Sequence, residues 1–180
     1  PRMVAGIITA TLDPRTGLEA AAAGPFDPAA IEAYYRGEAH RLAWREESLA
    51  MAAFDEALRI EPGFARARLA RAELLNHLGG WFGLLQPVEA LPEAETELER
   101  ALQVDSTLAE AHLVRANILF RYKYDWAGAE REYLRAIEIN PGYAEARNHF
   151  GNFLRAMGRI EEATNQLEAA TRLDPLYEDH

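Results

Sequence analysis

"AGAEREYLRAIEINP", residues 127–141, sets a small residue at Ala129, an aromatic at Tyr133, a second small residue at Ala136 and a proline at Pro141. Steps of four and three return to the same face of an α-helix, so Ala129, Tyr133 and Ala136 form one stripe, with alanine where a neighbouring helix must come close. Proline has no N–H to give the preceding turn, and the helix ends there. Three more segments carry the same arrangement: Ala50/Phe54/Ala57/Pro62 in "AMAAFDEALRIEP" (50–62), Ala94/Leu98/Ala101/Ser106 in "AETELERALQVDS" (94–106) and Ala163/Leu167/Ala170/Pro175 in "ATNQLEAATRLDP" (163–175). Their last members are 44, 35 and 34 residues apart.

Between these helices the chain supplies partners for them. Pro-Gly at 62–63 and 141–142 turns the backbone, and amphipathic stretches follow: "FARARLARAELLNHL", "LAEAHLVRANILFRY" and "YAEARNHFGNFLRAM". Two helices recurring at about 34 residues predict an all-α helix-turn-helix solenoid, in which each unit buries the apolar face of the next.

The small-x-x-x-aromatic-x-x-Ala run and its terminal proline resemble the tetratricopeptide repeat (TPR). The resemblance implies a right-handed superhelix of four units: 31–64, 65–108, 109–143 and 144–176, leaving 1–30 as an N-terminal segment and 177–180 as a tail. It is specific in the second helix of each unit and looser in the first. Arg68, Arg71, His112, Arg115 and Arg147 stand where the family prefers bulky apolar residues, and Gly37 and Glu38 make the first unit irregular. We expect the arginine stems to pack between helices with their heads on acids such as Glu95, Glu99 or Glu132. A narrower likeness joins the insertion "LGGWFGLLQPVEALPEAETELERAL" and "RYKYDWAGAEREYLRAIEINPGYAEA" to TPR arrays of multidomain bacterial signalling proteins, where the array accompanies a cyclase-type or winged-helix output region.

In TPR proteins, partners lie in a concave groove lined by positions two, five, nine, twelve and thirteen of each first helix. Carried over, the resemblance marks Glu32, Tyr35, Ala39, Leu42 and Ala43, then Arg66, Leu69, Glu73, Asn76 and His77. The third and fourth units contribute Glu110, Leu113, Asn117, Phe120 and Arg121, then Glu145, Asn148, Asn152, Arg155 and Ala156. An amide carries both a donor and an acceptor, so Asn117, Asn148 and Asn152 can grip an extended peptide backbone, and Arg121 and Arg155 can hold a carboxylate. The alternative is that these polar groups solvate the surface or join neighbouring helices.

Composition limits the other classes. With 29 acidic and 19 basic residues the net charge is −10, which opposes binding to nucleic acid or anionic lipid. Cysteine is absent, which excludes disulfides and thiolate chemistry and permits a reducing, cytoplasmic location. No apolar run approaches the roughly 18 residues of a membrane span. The five histidines show no metal-ligand spacing, Ser48 and Ser106 lie outside any nucleophile motif, and "GGWFGLLQP" lacks a phosphate-loop pattern. Glu46-Glu47 and Glu161-Glu162 sit where acids favour a helix N-terminus. The expectation is therefore a non-enzymatic module without cofactor or metal, binding a protein or peptide.

Two alternatives remain. One is a small-molecule or enzymatic site near the insertion, using Glu73, His77 and Trp81. The other is a structural array that self-associates through the N-terminal segment or the uncapped last unit. The insertion itself accounts for ten extra residues in the second unit, with Gly79-Gly80 ending one helix, Pro92 helping to begin the next, and Trp81, Phe82, Leu84 and Leu85 tucked against the array. Trp126 is expected to staple the helix that follows "RYKYDW", with Asp125 as its N-cap. In the first thirty residues, "RMVAGIITATL" reads as the tail of a preceding domain or a segment that pairs with a second copy, "DPRTGLEAAAAGPFD" as linker, and Asp27-Pro28 as the cap and first-turn proline of the first repeat helix. The start at Pro1 suggests a processed chain or a fragment.

Overall fold

The computed structural model describes residues 26–43, 46–81 and 84–175. Residues 1–25, the Phe82 ring and the tail at 177–180 fall outside it, and so do the expectations placed on them. Among the described residues every regular element is helical. The chain divides into two compact units, Pro1–Ala67 and Arg68–His180.

In the first unit, α1 (Pro28–Leu42) pairs with α2 (Glu47–Ile60). Pro28 takes the first helical position, where a missing N–H costs nothing, and the Asp27 carboxylate accepts from the Ala29 amide at 2.8 Å. The Asp27 amide in turn donates to Glu61 at 3.0 Å, which ties the start of α1 to the end of α2. Ala50, Phe54 and Ala57 are wholly buried. Gly37 lies under the Phe54 ring, where a Cβ would stand 2.6 Å from Cδ1. It therefore occupies the small position of its helix, the place held by Gly151 against Leu167 in the last repeat. That contact sets the register of α1 one residue earlier than a start at Ile31. The stretch between the two helices is one residue longer in this repeat than in the last, and a fixed repeat length conceals that difference.

The second unit begins within α3 (Ala65–Asn76), which widens into a π-helical turn at His77–Trp81. There follow α4 (Pro87–Val104), α5 (Ala109–Ile118) with its own π-helical turn at Leu119–Lys123, α6 (Trp126–Ile139), α7 (Ala144–Ala156) and α8 (Ile160–Leu173). Ala94, Leu98 and Ala101 of α4 and Ala129, Tyr133 and Ala136 of α6 are at most 1% exposed. Around Tyr133, the rings of Phe150 and Phe153 pack at 5.7 and 5.5 Å, within the range aromatic pairs prefer.

The insertion is largely helix. At 18 residues α4 is four longer than α2, α6 or α8, and it starts at Pro87, not near Pro92. Pro92 sits inside α4, where the carbonyl it leaves unbonded belongs to Val88, a residue 78% exposed that water can serve. Gly79 and Gly80 continue the preceding helix through its π-helical turn, with Gly79 against Ala90 and Gly80 against Tyr122. Leu84 and Leu85 are exposed and not tucked in, although the Leu85 amide returns to the Leu78 carbonyl at 3.0 Å.

The two arginines of α3 pair across helices with acids two residues along α4 from those expected. Arg68 reaches Glu97 at 2.6 Å and Arg71 reaches Glu93 at 2.5 Å, while Glu95 takes Lys123 and Glu99 is exposed. His112 does meet Glu132, at 2.6 Å, with Arg115 at 3.8 Å. Arg147 binds no acid among the described residues. Its guanidinium donates to the Pro141 carbonyl at 3.0 and 3.1 Å and to Gln166 at 3.0 Å, and so joins the turn before α7 to α8. Asp125 caps α6 by accepting from the Gly128 amide at 2.9 Å, and Trp126 is half exposed.

Candidate partner-binding face

The residues marked as one groove divide between the two units. In the first unit, Tyr34, not Tyr35, is the buried ring, packing against Phe54 and Phe64 at 6.1 and 5.1 Å, and Leu42 is 78% exposed. In the second unit, Leu69, Asn76, Asn117 and Asn148 are buried, while Glu73, His77, Phe120, Arg121 and Asn152 keep part of their surface in solvent and Arg155 is exposed.

On α7 the turn of Asn140, Pro141 and Gly142 fixes what comes next. The Asn140 side chain accepts from the Gly142 amide at 3.1 Å, its carbonyl accepts from the Tyr143 amide at 3.1 Å, and α7 starts at Ala144. Glu145, Asn148, His149 and Asn152 then fall at helical spacings of three and four on one face.

Asn117 of α5 is committed inside the protein. Its Oδ1 accepts from the Tyr133 hydroxyl at 2.8 Å and faces His149 Nδ1 at 3.0 Å. An acceptor there requires Nδ1 to carry hydrogen, which leaves Nε2 directed towards Glu145 at 4.0 Å. The Asn117 amide thus joins α5, α6 and α7, and its burial suits a structural amide better than a peptide clamp. Asn148 is likewise occupied, accepting from Asn152 Nδ2 at 2.9 Å. The remaining Asn152 oxygen is buried and has no donor among the described residues. Phe120 stands edge-on to Phe153 at 5.2 Å and keeps part of its ring in solvent.

One contributor is absent from the residues marked by the repeat pattern. Tyr143 precedes α7 at the position filled by Phe64 and Leu108 in other repeats, and it alone of the three carries a hydroxyl. That hydroxyl donates to Glu145 at 3.3 Å. Burial, followed by the negative charges of Glu145, Glu73 and Glu110, holds the phenol protonated far above its ordinary range. Three carboxylates from three successive first helices therefore bear on one side chain. The signal was in the sequence, as a tyrosine where the other repeats place a plain apolar plug.

Among the described residues, no group of three or more His, Asp or Glu is placed to hold a metal, and no helix is long and apolar enough to cross a membrane. Glu73, assigned above to a possible site with His77 and Trp81, adds its charge to the field around Tyr143, and the Trp81 side chain lies outside the described residues.

A family profile described as "Tetratricopeptide repeat" matches residues 132–165, spanning most of α6, all of α7 and the start of α8. The chain carries tetratricopeptide repeats. Tetratricopeptide repeat protein 6 of Homo sapiens is 32% identical over 90 residues, covering 49% of this chain and 17% of that protein. Type IV pilus assembly protein PilF of Pseudomonas aeruginosa is 33% identical over 85 residues, covering 47% of this chain and 33% of that protein. The TPR chain thus spans no more than a third of the length of either relative. A crystal structure of MamA superposes with a TM-score of 0.60 at 16% identity, covering 89% of this chain and 86% of that one, and supports the fold. The matched repeat and the paired-helix array have the architecture of a protein–protein interaction module.

Proposed function

We propose that the chain is a non-catalytic module that takes an extended peptide segment of a protein partner along the partly exposed face of α3, α5 and α7. The observation that carries this is the Asn152 side chain, held by Asn148 through its nitrogen while its buried oxygen lacks a donor. A peptide N–H supplies one, and leaving that acceptor unpaired costs about 1–3 kcal/mol. Phe120 gives the same face an apolar contact, and Arg121 and Arg155, towards the C-terminal ends of their helices, suit a carboxylate of the segment. Cytoplasmic placement, and service as the regulatory arm of a larger signalling protein, belong to this proposal and rest on sequence likeness and composition alone.

The test is a binding screen with an array of synthetic peptides, comparing the native chain with a variant carrying Phe120→Ala, Asn152→Ala and Arg155→Gln. Asn117 is left intact because it joins three helices, and Asn148 because its amide is buried. Peptides captured by the native chain should be lost by the variant while its thermal transition is kept; equal capture by both excludes this face.

The proposed self-association of the last unit finds modest support. On α8, Thr164, Leu167, Glu168, Thr171 and Arg172 line a shallow open depression. Glu95 and Glu130, which pair with Lys123 and Arg159 further along the chain, have Thr164 as their counterpart. The acid that reaches the following repeat in those pairs is thus missing from α8. Sedimentation of the chain decides it, a monomer at all concentrations excluding self-association.

A further inference from the structure

Among the described residues, the exposed large apolar side chains of the second unit gather along one edge. Leu84, Leu85, Val88, Tyr124, Trp126 and Ile160 all stand where the first helix of a repeat turns into the second. These turns adjoin one another. Gly80 lies against Tyr122, Lys123 reaches back to Glu95 of α4 at 2.7 Å, and Arg159 reaches back to Glu130 of α6 at 2.6 Å. Val88 is seven residues before Glu95 and Trp126 four before Glu130, spacings that keep each pair on one helical face. Lys123 therefore brings Tyr124 to the face of Val88, and Arg159 brings Ile160 to the face of Trp126.

Folding gives these positions no reason to be apolar. Tyr124 takes φ 55°, in the left-handed region that favours glycine, and one repeat later Gly158 fills the same place at φ 77°. A bulky side chain is strained there, and at 71% exposed Tyr124 recovers little by packing. Trp126 and Ile160 open α6 and α8, where α2 opens with Glu47, the kind of residue a helix N-terminus favours. The six side chains together expose on the order of 600 Å² of apolar surface, large for a patch on a monomer and near the roughly 800 Å² that one partner gives a standard interface.

We propose that this edge pairs with the same edge of a second copy of the chain, about a two-fold axis through the turn of Tyr124 and Trp126. Charge selects that occupant. Two chains of net charge −10 repel wherever acids dominate their surfaces, but residues 84–88 carry no charge at all. Nearby, Asp125 is spent on the Gly128 amide, Lys123 on Glu95, and Arg159 on Glu130 and Glu162. In an isologous contact the central turn meets itself, and Leu84, Leu85 and Val88 of one copy face Ile160 of the other. The peptide face of α3, α5 and α7 takes no part in it.

Sedimentation equilibrium of the full chain, over roughly a hundredfold range of concentration, should show a dimer that tightens as salt is added, because screening weakens the repulsion between copies. Trp126→Glu with Ile160→Glu, at helix starts that accept an acid, should weaken the dimer at least about tenfold. Thr164→Glu with Thr171→Glu adds the same charge to exposed positions of α8 and should stay within about twofold. Tyr124→Gly should also weaken the dimer, while the thermal transition of the dilute chain does not fall. A chain that stays monomeric leaves the edge to a different partner and overturns the proposal. So does a dimer broken equally by the α8 pair, which means bulk charge or end-to-end stacking. A dimer untouched by Tyr124→Gly, with the thermal transition lowered, makes the tyrosine a structural cap and overturns it as well.

Discussion

The stripe of α6 and the face of α7 pack within the same unit and are built on opposite terms. Ala129, Tyr133 and Ala136 are dry, at most 1% exposed, and their one polar atom is bonded to Asn117. Across α7, Glu145, His149 and Asn152 stay partly wet, and one buried oxygen is left without a donor. Burial of the first set supplies free energy of folding, whereas the second set contributes little to it. The difference teaches where to look for function in a repeat protein: at the face whose composition the packing does not require.

The largest effect should come from breaking the dry stripe. Tyr133→Ala empties the space between Phe150 and Phe153 and removes the donor to Asn117, and urea denaturation should show a loss of about 3–5 kcal/mol. Next is Glu97→Ala. Arg68 and Glu97 are both largely buried, and removing the acid takes a charged partner from a buried cation at a cost of about 3 kcal/mol, the low end for a buried pair.

A smaller effect comes from pH. Burial pushes the Glu132 carboxyl up, but the hydrogen bond and charge of His112, with Arg115 and Arg131, outweigh it together and hold the group below its ordinary 4.5. A depressed carboxyl stabilises the fold fully above its unfolded value, and that contribution disappears as pH falls from about 4.5 through the lower folded value. Thermal melts across this range should decline less steeply for Glu132→Gln than for the native chain. The smallest effect is expected on the other side of the comparison: Glu145→Gln should change stability by no more than about 0.5 kcal/mol, because its half-exposed carboxylate is not what the packing uses.

The fold was legible because its determinants repeat. Ala, a large apolar residue and Ala recur at fixed spacing, and a helix crossing demands the same small and large residues every time. Three things escaped. The register of α1 moved by one residue because loop lengths between helices vary while the buried Gly37–Phe54 contact does not. Part of the insertion became about one extra turn of α4, since a proline inside a helix is tolerated when the freed carbonyl is exposed. The polar face changed its meaning because Asn117 and Asn148, alike in sequence to free amides, are spent on Tyr133, His149 and Asn152. Sequence marks such residues as polar and on one face; only packing shows which have a bond left to give.

The most direct test of the account is a backbone amide NMR titration of the chain with the tightest peptide from the array. Shifts concentrated on Glu73, Glu110, Tyr143, Glu145, His149 and Asn152 are predicted. Shifts concentrated on Thr164, Leu167 and Thr171 of α8, with the first-helix amides unmoved, would contradict it.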